Sequence, residues 1–503
     1  MAAINRLLAA HASERPEATA FRVGKDGRTL SWRDLACNAE HWRELASWPT
    51  LPPRSRIGLV TGDPLAFAAN YLGALAAGMT VVPLDGRMTE TELAEAVARM
   101  RVDVLLCEDM TTPVSVTVHG RRPSTEVAMR PAVLLASSGT TGTPKGIPLS
   151  EWQLLHAATR VVRHHRLGRH DRGYSPLPLF HVNAQVMGLL TTLVSGGSLI
   201  LDARFDAREY WSRAAEWSPT WINTVPAMLA SLAGLPAPPE RVARRIRFAR
   251  SASAPLPKET ARLFTAHTGV SILETYGMTE AAGQITANPL DPAERRAGSV
   301  GLPVGIGMAV LDADGHPVEP GREGMVALLG SQVVHRYLTL SAERPEDARP
   351  ARNAAGWLLT GDLGRRDQDG FVYLTGRADD VINRGGEKIH PEEVEDLLLT
   401  DHRVRAAAVV GVPHDRLGET PVAFVLAHAE AGDTTGLVAS LRELCDHRLA
   451  RYKRPTTIEV TTELPTGPTG KVLRRALRAE LAAESAAKSA AKLAEKLATS
   501  GAR

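Results

Sequence analysis

The sequence lacks the features that mark secreted, disulfide-bonded or membrane-spanning proteins. Cysteine is scarce, and Cys37, Cys107 and Cys445 are far apart, lack a CxxC spacing and cannot form an even set of disulfides. Charges interrupt the N-terminal segment, and no stretch offers the run of about 18 apolar residues that a transmembrane helix needs. We therefore expect a cytoplasmic protein with neither a secretion signal nor a membrane span.

The chain also lacks a large excess of charge of one sign. Its formal net charge is only +3 over 503 residues, too little to indicate the basic surface of a nucleic-acid-binding protein. No repeat of the length found in solenoids or propellers is evident. With 44% hydrophobic residues, the composition is that of a globular protein with material for more than one domain.

Apolar runs of strand length alternate with helical patterns along the chain. Segments 56–60 and 131–135 have the composition of buried strands, whereas Leu65 to Ala76 and Glu151 to Arg163 have helical spacing, the second after a capping Ser150. This alternation predicts an α/β fold with a large N-terminal domain of β-sheets and packed helices.

A domain boundary is predicted near Gly376, where a Gly/Asp-rich stretch ends and a second glycine pair follows. We expect an N-terminal domain at residues 1–376, a small mobile α+β domain at 377–481 and an Ala/Lys/Glu-rich tail at 482–503. The charge spacing of the tail favours a solvated helix, with a disordered end or a partner-binding helix as the alternatives.

The segment Ser137–Gly146 has the composition of a phosphate-binding loop. Its glycines allow backbone N–H groups to converge, its hydroxyls add donors, and Lys145 adds a positive charge. It is not a Walker A loop, because Pro144 stands where that motif has glycine and the lysine is followed by glycine instead of serine or threonine. Taken alone, the segment is also compatible with an ordinary surface loop.

With Pro144-Lys145-Gly146 at its end, this loop resembles the phosphate loop of the adenylate-forming superfamily, which includes AMP-dependent acyl-CoA synthetases, peptide-synthetase adenylation domains and luciferases. Four more segments resemble motifs of that superfamily and follow in its order. They are Tyr276–Glu280, Thr360–Gly364, Gly376–Ile389 and Pro465–Arg475. The segments 278–289 and 383–389 are similar to the oxalate and fatty-acid CoA ligase branch, which does not identify the acid.

The resemblance implies a set of nucleotide and CoA contacts. Asp362 is expected to accept the two ribose hydroxyls, Arg377 to contact the ribose, and Asp379 to be the hinge between the domains. Gly385 and Gly386 are expected to line the pantetheine tunnel, where missing side chains leave room. The remaining expected nucleotide contacts are Ser138, Gly139, Thr140, Thr141, Gly142, Thr143, Lys145, Thr275 and Tyr276.

The resemblance also implies which groups are catalytic. Attack of a carboxylate on the α-phosphate of ATP brings two anions together, so the protein must position them and neutralise charge. Lys471 is expected to do this from a mobile loop, Thr279 to touch phosphate, and Glu280 to help hold Mg²⁺. His181 is expected to gate the acid pocket, near a candidate set of Asn183, Gln185, Met278 and Gly283. By contrast, His164, His165 and His170 are expected to form a solvated helix end rather than a metal site.

Two departures from the superfamily pattern affect the second half of the reaction. Thr466 stands where many relatives have Lys or Arg, and Gly330–Tyr337 differs from the commoner form of that segment. The sequence therefore predicts ATP-dependent, AMP-forming activation of a carboxylic acid and transfer to CoA, with ATP, Mg²⁺ and CoA as cofactors. The alternatives are transfer to a carrier-protein thiol or an amine, adenylation of a small acid such as nitrite, or a non-enzymatic scaffold. The acid and the oligomeric state stay open.

Overall fold

The computed structural model describes residues 2–47, 55–107, 131–137, 145–340, 348–414, 416–428, 434–467 and 471–483. Its α-helices in these ranges are α1 (Ala3–Glu14), α2 (Trp32–Leu45), α3 (Pro64–Ala76), α4 (Glu90–Met100), α5 (Glu151–His165), α6 (Thr191–Ser195), α7 (Tyr210–Trp217), α8 (Pro226–Ala233), α9 (Glu240–Arg245), α10 (Lys258–Thr268), α11 (Pro391–Leu398) and α12 (Thr434–Arg448). A π-helix covers Asn183–Leu190, and 3₁₀ turns cover Thr279–Ala281 and Ala378–Asp380.

The strands before residue 378 form the sheets of the larger part of the protein. They are β1 (Thr19–Val23), β2 (Thr29–Ser31), β3 (Arg56–Val60), β4 (Thr80–Pro83), β5 (Val104–Cys107), β6 (Val133–Ser137), β7 (Lys145–Leu149), β8 (Arg172–Ser175), β9 (Ser198–Leu201), β10 (Trp221–Thr224), β11 (Ala249–Ser251), β12 (Ile272–Met278), β13 (Gly283–Ala287), β14 (Leu302–Pro303), β15 (Gly307–Leu311), β16 (Glu323–Leu329), β17 (Arg336–Thr339), β18 (Ala348–Pro350), β19 (Leu358–Arg366) and β20 (Val372–Arg377).

These strands form three sheets, with orders β14-β13-β12-β11-β10-β8-β9-β1-β2, β18-β17-β7-β6-β4-β3-β5 and β15-β16-β19-β20. The centre of the first sheet is parallel from β1 through β9, β8, β10 and β11 to β12. The carboxyl ends of these parallel strands therefore meet at one edge, which is the usual location of ligand sites in such sheets. The predicted α/β class is confirmed.

Local signals set the ends of the predicted helices. Helix α3 begins at Pro64, and the side chain of Asp63 caps it by accepting a hydrogen bond from the Leu65 N–H. The side chain of Ser150 caps α5, as predicted, and forms a capping box with Gln153. Helix α5 ends at His165, two residues later than the sequence pattern indicates.

The expectation that His164, His165 and His170 form a solvated helix end is wrong for His165, the last residue of α5. Its side chain is fully buried and packs edge-on against Phe248, with the ring centroids 5.3 Å apart. Burial, with help from nearby positive charges, lowers the pKa of His165 well below its usual value. A neutral core histidine therefore ends this helix. The sequence missed it because its packing partner lies more than 80 residues away along the chain.

The C-terminal part has its own core. Its strands are β21 (Ile382–Arg384), β22 (Glu387–Ile389), β23 (Val404–His414), β24 (Gly418–Ala427) and β25 (Thr457–Thr461), with α11 and α12 packed beside them. In the described residues, the buried apolar clusters of this part run from Ile382 to Leu477 and share no member with those of residues 4–372. This separation supports a boundary near residue 376. The tail that the sequence analysis assigns to 482–503 lies outside the described residues beyond residue 483.

Candidate active site

Asp362 forms the centre of the first cluster of predicted site residues. It lies on β19 opposite Arg377 of β20, and its Oδ1 is 3.1 Å from the Nη1 of Arg377. The hydroxyl of Tyr276 donates to the other carboxylate oxygen, Oδ2, at 2.5 Å. Burial, followed by the negative charge of Asp362, raises the pKa of Tyr276 well above its usual value, so this hydroxyl stays protonated and donates. An ion pair and a hydrogen bond therefore join these three predicted nucleotide residues into one group.

Glu280 forms a second cluster with a residue that the sequence analysis did not select. The hydroxyl of Tyr337 donates to Glu280 Oε1 at 3.2 Å, and the Nζ of Lys145 lies 4.9 Å from the centre of the Tyr337 ring. Burial raises the pKa of Glu280, while Tyr337 and the charges of Lys145 and Arg377 oppose that rise. A partly desolvated carboxylate thus faces a lysine across a tyrosine ring.

This arrangement fits a Mg²⁺ ion that arrives with a phosphate substrate. Mg²⁺ is commonly held by one or two carboxylates, with phosphate oxygens and waters as the other ligands. Glu280 supplies one such oxygen donor, and no group of three potential metal-ligating side chains occurs among the residues described. The donor set therefore fits a substrate-borne ion better than a cage of protein ligands.

Lys471 ends the C-terminal glycine-rich loop and interacts electrostatically with Asp362 and Arg377 of the first cluster. The N–H of Gly467 donates to its carbonyl at 2.7 Å, and an antiparallel bridge joins Thr466 to Val472, so the loop is closed at its base. Burial lowers the pKa of Lys471, and the charge of Arg377 lowers it further, whereas Asp362 opposes this effect. The C-terminal part therefore places a desolvated lysine next to residues of the larger part.

Ion pairs at the predicted hinge involve the residue after Asp379. Arg478 donates to Asp380 Oδ1 at 2.8 Å, and Arg474 lies 3.4 Å from Asp380 Oδ2. Arg474 also donates to both carboxylate oxygens of Glu395, at 2.9 and 2.8 Å. The ion pairs of Arg474 and Arg478 with Asp380 thereby join the segment after Lys471 to the 3₁₀ turn at Ala378–Asp380. The hinge role of Asp379 itself stays a prediction.

Gly385 and Gly386 form the turn between β21 and β22. Their φ angles are +64° and +93°, which a mirror-image hairpin turn requires and which side chains disfavour. A Cβ atom added at Gly386 would meet no atom within 4 Å. The turn conformation, rather than a lack of space in this arrangement of the domains, explains this glycine. Contact with pantetheine stays a prediction.

Three of the predicted acid-pocket residues, His181, Asn183 and Gln185, lie at or just before the start of the π-helix, whereas Met278 ends β12 and Gly283 begins β13. His181 is mostly enclosed, burial lowers its pKa to about 4, and its Nε2 is buried without a partner among the described residues. Gln185 is fully buried and donates to the carbonyl of Leu179 at 3.0 Å, so it holds the preceding loop. A π-helical segment is often found at functional sites, which agrees with a pocket here.

Asn183 is hydrogen-bonded to a buried arginine that the sequence analysis did not select. Its Oδ1 accepts a hydrogen bond from Arg250 at 3.0 Å, and its Nδ2 donates to Ser253 at 3.0 Å. Arg250 is only 3% exposed and lies on β11, next to β12 in the parallel sheet. A polar cluster therefore borders the predicted acid pocket.

The remaining predicted residues divide into three groups. Ser138, Gly139, Thr140, Thr141, Gly142 and Thr143 lie outside the described residues. Thr275 is buried and donates to the carbonyl of Ser251 at 3.3 Å, so its hydroxyl is engaged within the sheet. Thr279 begins the 3₁₀ turn that carries Glu280.

No helix in the described ranges is long and apolar enough to cross a bilayer.

Comparison with known proteins agrees with this geometry. Residues 8–338 match the family described as AMP-binding enzyme, and residues 393–471 match the AMP-binding enzyme C-terminal domain. A sulfoacetate–CoA ligase of Cupriavidus necator is 43% identical over 68% of this chain and 66% of its own length. An oxalate–CoA ligase of Arabidopsis thaliana is 37% identical over 70% of this chain and 68% of its own length.

These two matches span about two thirds of the length of each relative. A structural match covers more of the fold: ATP-bound MatB from Rhodopseudomonas palustris superposes with a TM-score of 0.82 at 26% identity, over 95% of this chain and 99% of that one. The resemblance to adenylate-forming enzymes, including their two-part fold, is confirmed. The chain belongs to the AMP-binding enzyme family.

Proposed function

We propose that this protein is an ATP-dependent, AMP-forming ligase that converts a carboxylic acid to an acyl-adenylate and transfers the acyl group to CoA. The observation that carries the proposal is that Lys471, although it belongs to the C-terminal part, is partly buried and interacts electrostatically with Asp362 and Arg377 of the larger part. The names of the relatives, which are CoA ligases, and the ATP-bound structural match support the same reaction.

The first half-reaction needs positive charge where two anions meet. Asp362 and Arg377 would hold the ribose, and Lys471 beside them would neutralise the charge that develops between the acid and the α-phosphate. Glu280 and Lys145 would bind the phosphates, with Mg²⁺ supplying charge neutralisation when it is bound. Pyrophosphate leaves as the acyl–phosphate bond forms.

The second half-reaction needs Lys471 to leave. In its present position the lysine occupies the space beside the nucleotide site, so the thiol of CoA requires another approach. The ion pairs of Asp380 with Arg474 and Arg478 lie at the turn about which such a rotation would occur. Rotation at the predicted hinge would remove Lys471 and bring the turn at Gly385 and Gly386 toward the site.

Pyrophosphate release tests the adenylation step. The acids should include sulfoacetate and oxalate, after the relatives' names, together with longer, aromatic and inorganic acids such as nitrite. Lys471→Ala should lower release by at least about 100-fold while ATP binding and the unfolding temperature stay close to wild type. Lys25→Ala, an exposed lysine of the larger part, is the matched control and should be silent. Equal release by the Lys471 variant and wild type would contradict the proposal.

The acceptor is tested by adding CoA. AMP turnover that rises with CoA supports the CoA ligase, whereas turnover that CoA leaves unchanged favours the second candidate, transfer to a carrier-protein thiol or an amine. The departures at Thr466 and at Gly330–Tyr337 are the features that favour this candidate. We also propose a cytoplasmic location, because three widely spaced free cysteines suit a reducing compartment.

A further inference from the structure

Arg250 has an unusual set of partners for a buried arginine. Its Nη1 donates to Asn183 Oδ1 at 3.0 Å and to Asn223 Oδ1 at 2.9 Å, and its Nε lies 3.5 Å from Gln284 Oε1. All three acceptors are neutral amide oxygens. No carboxylate among the described residues forms an ion pair with it, and a buried charge without a counter-charge is costly.

Other enclosed arginines of the chain are compensated differently. Arg213 pairs with the buried carboxylate of Asp202 at 3.0 Å, and Arg474 contacts carboxylates of Asp380, Glu392 and Glu395. Arg295 is satisfied by three backbone carbonyls, those of Pro289, Ile272 and Leu290. Arg160, 9% exposed, likewise donates to two backbone carbonyls, those of Val304 and Gln284. Arg250 differs from all of these in that its acceptors are side-chain amides, which leave it without a counter-charge among the described residues.

A second buried polar side chain lies beside Arg250 and lacks one hydrogen-bond partner. Gln284 is 2% exposed, and although its Oε1 faces Arg250, its Nε2 has no hydrogen-bond partner among the residues described. Leaving a buried donor unpaired costs about 1–3 kcal/mol. A buried amide donor without an acceptor therefore lies beside a guanidinium that has acceptors but no counter-charge.

The cluster lies next to the reaction site. Gln284 pairs across β12 and β13 with Gly277, which is followed directly by Met278, Thr279 and Glu280. Asn183 begins the π-helix two residues after His181, and Arg250 is the middle residue of β11, one position before the carboxyl end of that short parallel strand. Asn183 is partly exposed and bonds Ser253, whose φ of +75° is strained, as functional positions often are.

We propose that the acid activated by this protein carries a second anionic group, a carboxylate or a sulfonate, and that Arg250 and Gln284 bind that group. The inference rests on the proposed function, because it names the substrate class of the same site. The second anion supplies the missing counter-charge and accepts from the unpaired amide, and charge-assisted bonds of this kind are short and strong. A neutral group at this place can at most accept from Gln284 and supplies no counter-charge to Arg250, so such acids are selected against.

Matched pairs of acids test this selection. Oxalate, malonate and succinate are compared with their half-amides oxamate, malonamate and succinamate, which keep the shape but lose the second charge. Wild type is expected to prefer at least one diacid over its half-amide by at least about 10-fold in kcat/KM for pyrophosphate release. Equal use of diacid and half-amide in every pair that is turned over would overturn the proposal.

Two substitutions separate a specificity role from a structural one. Arg250→Met should lower kcat/KM for the diacid by at least about 10-fold more than for the half-amide. Asn183→Asp places a carboxylate 3.0 Å from the guanidinium and so supplies an internal counter-charge; it should reduce the preference for the diacid even if Arg250→Met does not fold. Arg295→Met is the control, since it removes a structural arginine and should leave the diacid to half-amide ratio unchanged. A ratio unaffected by both site variants would sink the proposal.

A binding measurement keeps this inference distinct from the proposed ligase activity. Calorimetric titration of the full chain with each diacid, in the presence of AMP, needs no turnover. Binding of a diacid that Asn183→Asp weakens, without pyrophosphate release from any acid, would retain the anion site and reject the ligase. Release from acids with no second charge, with no binding preference for diacids, would retain the ligase and reject the anion site.

Discussion

The Nη1 of Arg377 lies 3.1 Å from the Oδ1 of Asp362, and the two residues are directly opposite each other on β20 and β19. This pair is partly buried at the junction between the large part and the C-terminal part. The turn at Ala378–Asp380 follows Arg377 immediately. The residue predicted to hold the ribose is therefore fixed by the last residue before the predicted hinge.

Asp362→Asn should weaken nucleotide binding. The amide keeps the shape and one acceptor for Tyr276, but it loses the charge that pairs with Arg377 and one acceptor for the ribose hydroxyls. We expect the KM for ATP to rise by about 10-fold or more, because hydrogen bonds to charged groups contribute roughly 1.5–3 kcal/mol. Steady-state pyrophosphate release at varied ATP measures this.

Asp367→Asn is the matched control for that experiment. Like Asp362, Asp367 forms an ion pair with an arginine, Arg296, and accepts a hydrogen bond from a tyrosine hydroxyl, that of Tyr373. It directly follows β19, the strand that carries Asp362. Its loss should leave the KM for ATP unchanged. An ATP affinity equally reduced by both variants would point to a general effect on the sheet rather than to ribose binding.

Lys471 predicts a pH dependence for adenylation. Burial and the charge of Arg377 lower its pKa below the usual lysine value of about 10.5. The protonated form is the active one, so adenylation should hold at low and neutral pH and fall as pH rises through the lowered pKa. In Lys471→Arg the guanidinium stays protonated, and the alkaline fall should disappear even if the rate is lower. An identical alkaline limb in both proteins would rule out Lys471 as its source.

Glu280 and Tyr337 predict a graded Mg²⁺ dependence. Glu280→Gln removes the charge that binds the ion, so the Mg²⁺ concentration for half-maximal pyrophosphate release should rise by about 10-fold or more. Tyr337→Phe removes only the hydrogen bond to Glu280 and keeps the ring beneath Lys145, so the rise should be a few-fold. A Mg²⁺ titration at fixed ATP measures both. A larger effect from Tyr337→Phe than from Glu280→Gln would contradict the assignment.

The parts of the protein that the sequence predicted correctly depend on local signals. Segment 56–60 became β3 because a short apolar run suffices for a buried parallel strand, and α5 starts where Ser150 caps it. The motifs identified Asp362, Tyr276 and Arg377 as candidate nucleotide contacts, and in the structure Asp362 contacts both of the other two. Neighbouring residues carry enough information for such features.

The parts that could not be predicted depend on distant partners. Tyr337 reaches Glu280 across 57 positions of sequence, and the segment around it departs from the superfamily pattern. Arg250 stands in a strand, where a charged residue suggests an exposed face, and only the packing of Asn183, Asn223 and Gln284 around it shows that it is buried. Side-chain networks of this kind are fixed by tertiary packing, which no local pattern records.

A pH-sensitive electrostatic interaction between the two parts gives a prediction on stability. Burial raises the pKa of Glu274 to about 8, and the charge of Asp396, on α11 of the C-terminal part, adds to this rise. In the unfolded chain Glu274 titrates near its ordinary value of 4.5. Between these two pH values the unfolded state releases the proton of Glu274 and the folded state keeps it. The contribution of Glu274 to the free energy of unfolding is therefore fully present below pH 4.5 and is lost as pH rises to about 8.

Glu274→Gln removes that loss, so the variant should gain stability relative to wild type as pH rises, by more than about 1 kcal/mol at pH 8. Burial raises the pKa of Asp396, and the positive charge of Lys258 opposes that rise. Glu259→Gln is the control of opposite sign, because Arg262 lowers the pKa of Glu259 and its loss should cost stability once pH exceeds the acidic range. In denaturant unfolding of the three proteins between about pH 5 and pH 8, the Glu274→Gln difference from wild type should grow with pH, whereas the Glu259→Gln difference should be constant, because Glu259 is ionised throughout this range. A difference between Glu274→Gln and wild type that is constant with pH would show that the Glu274 carboxyl group is ionised throughout and would contradict the prediction.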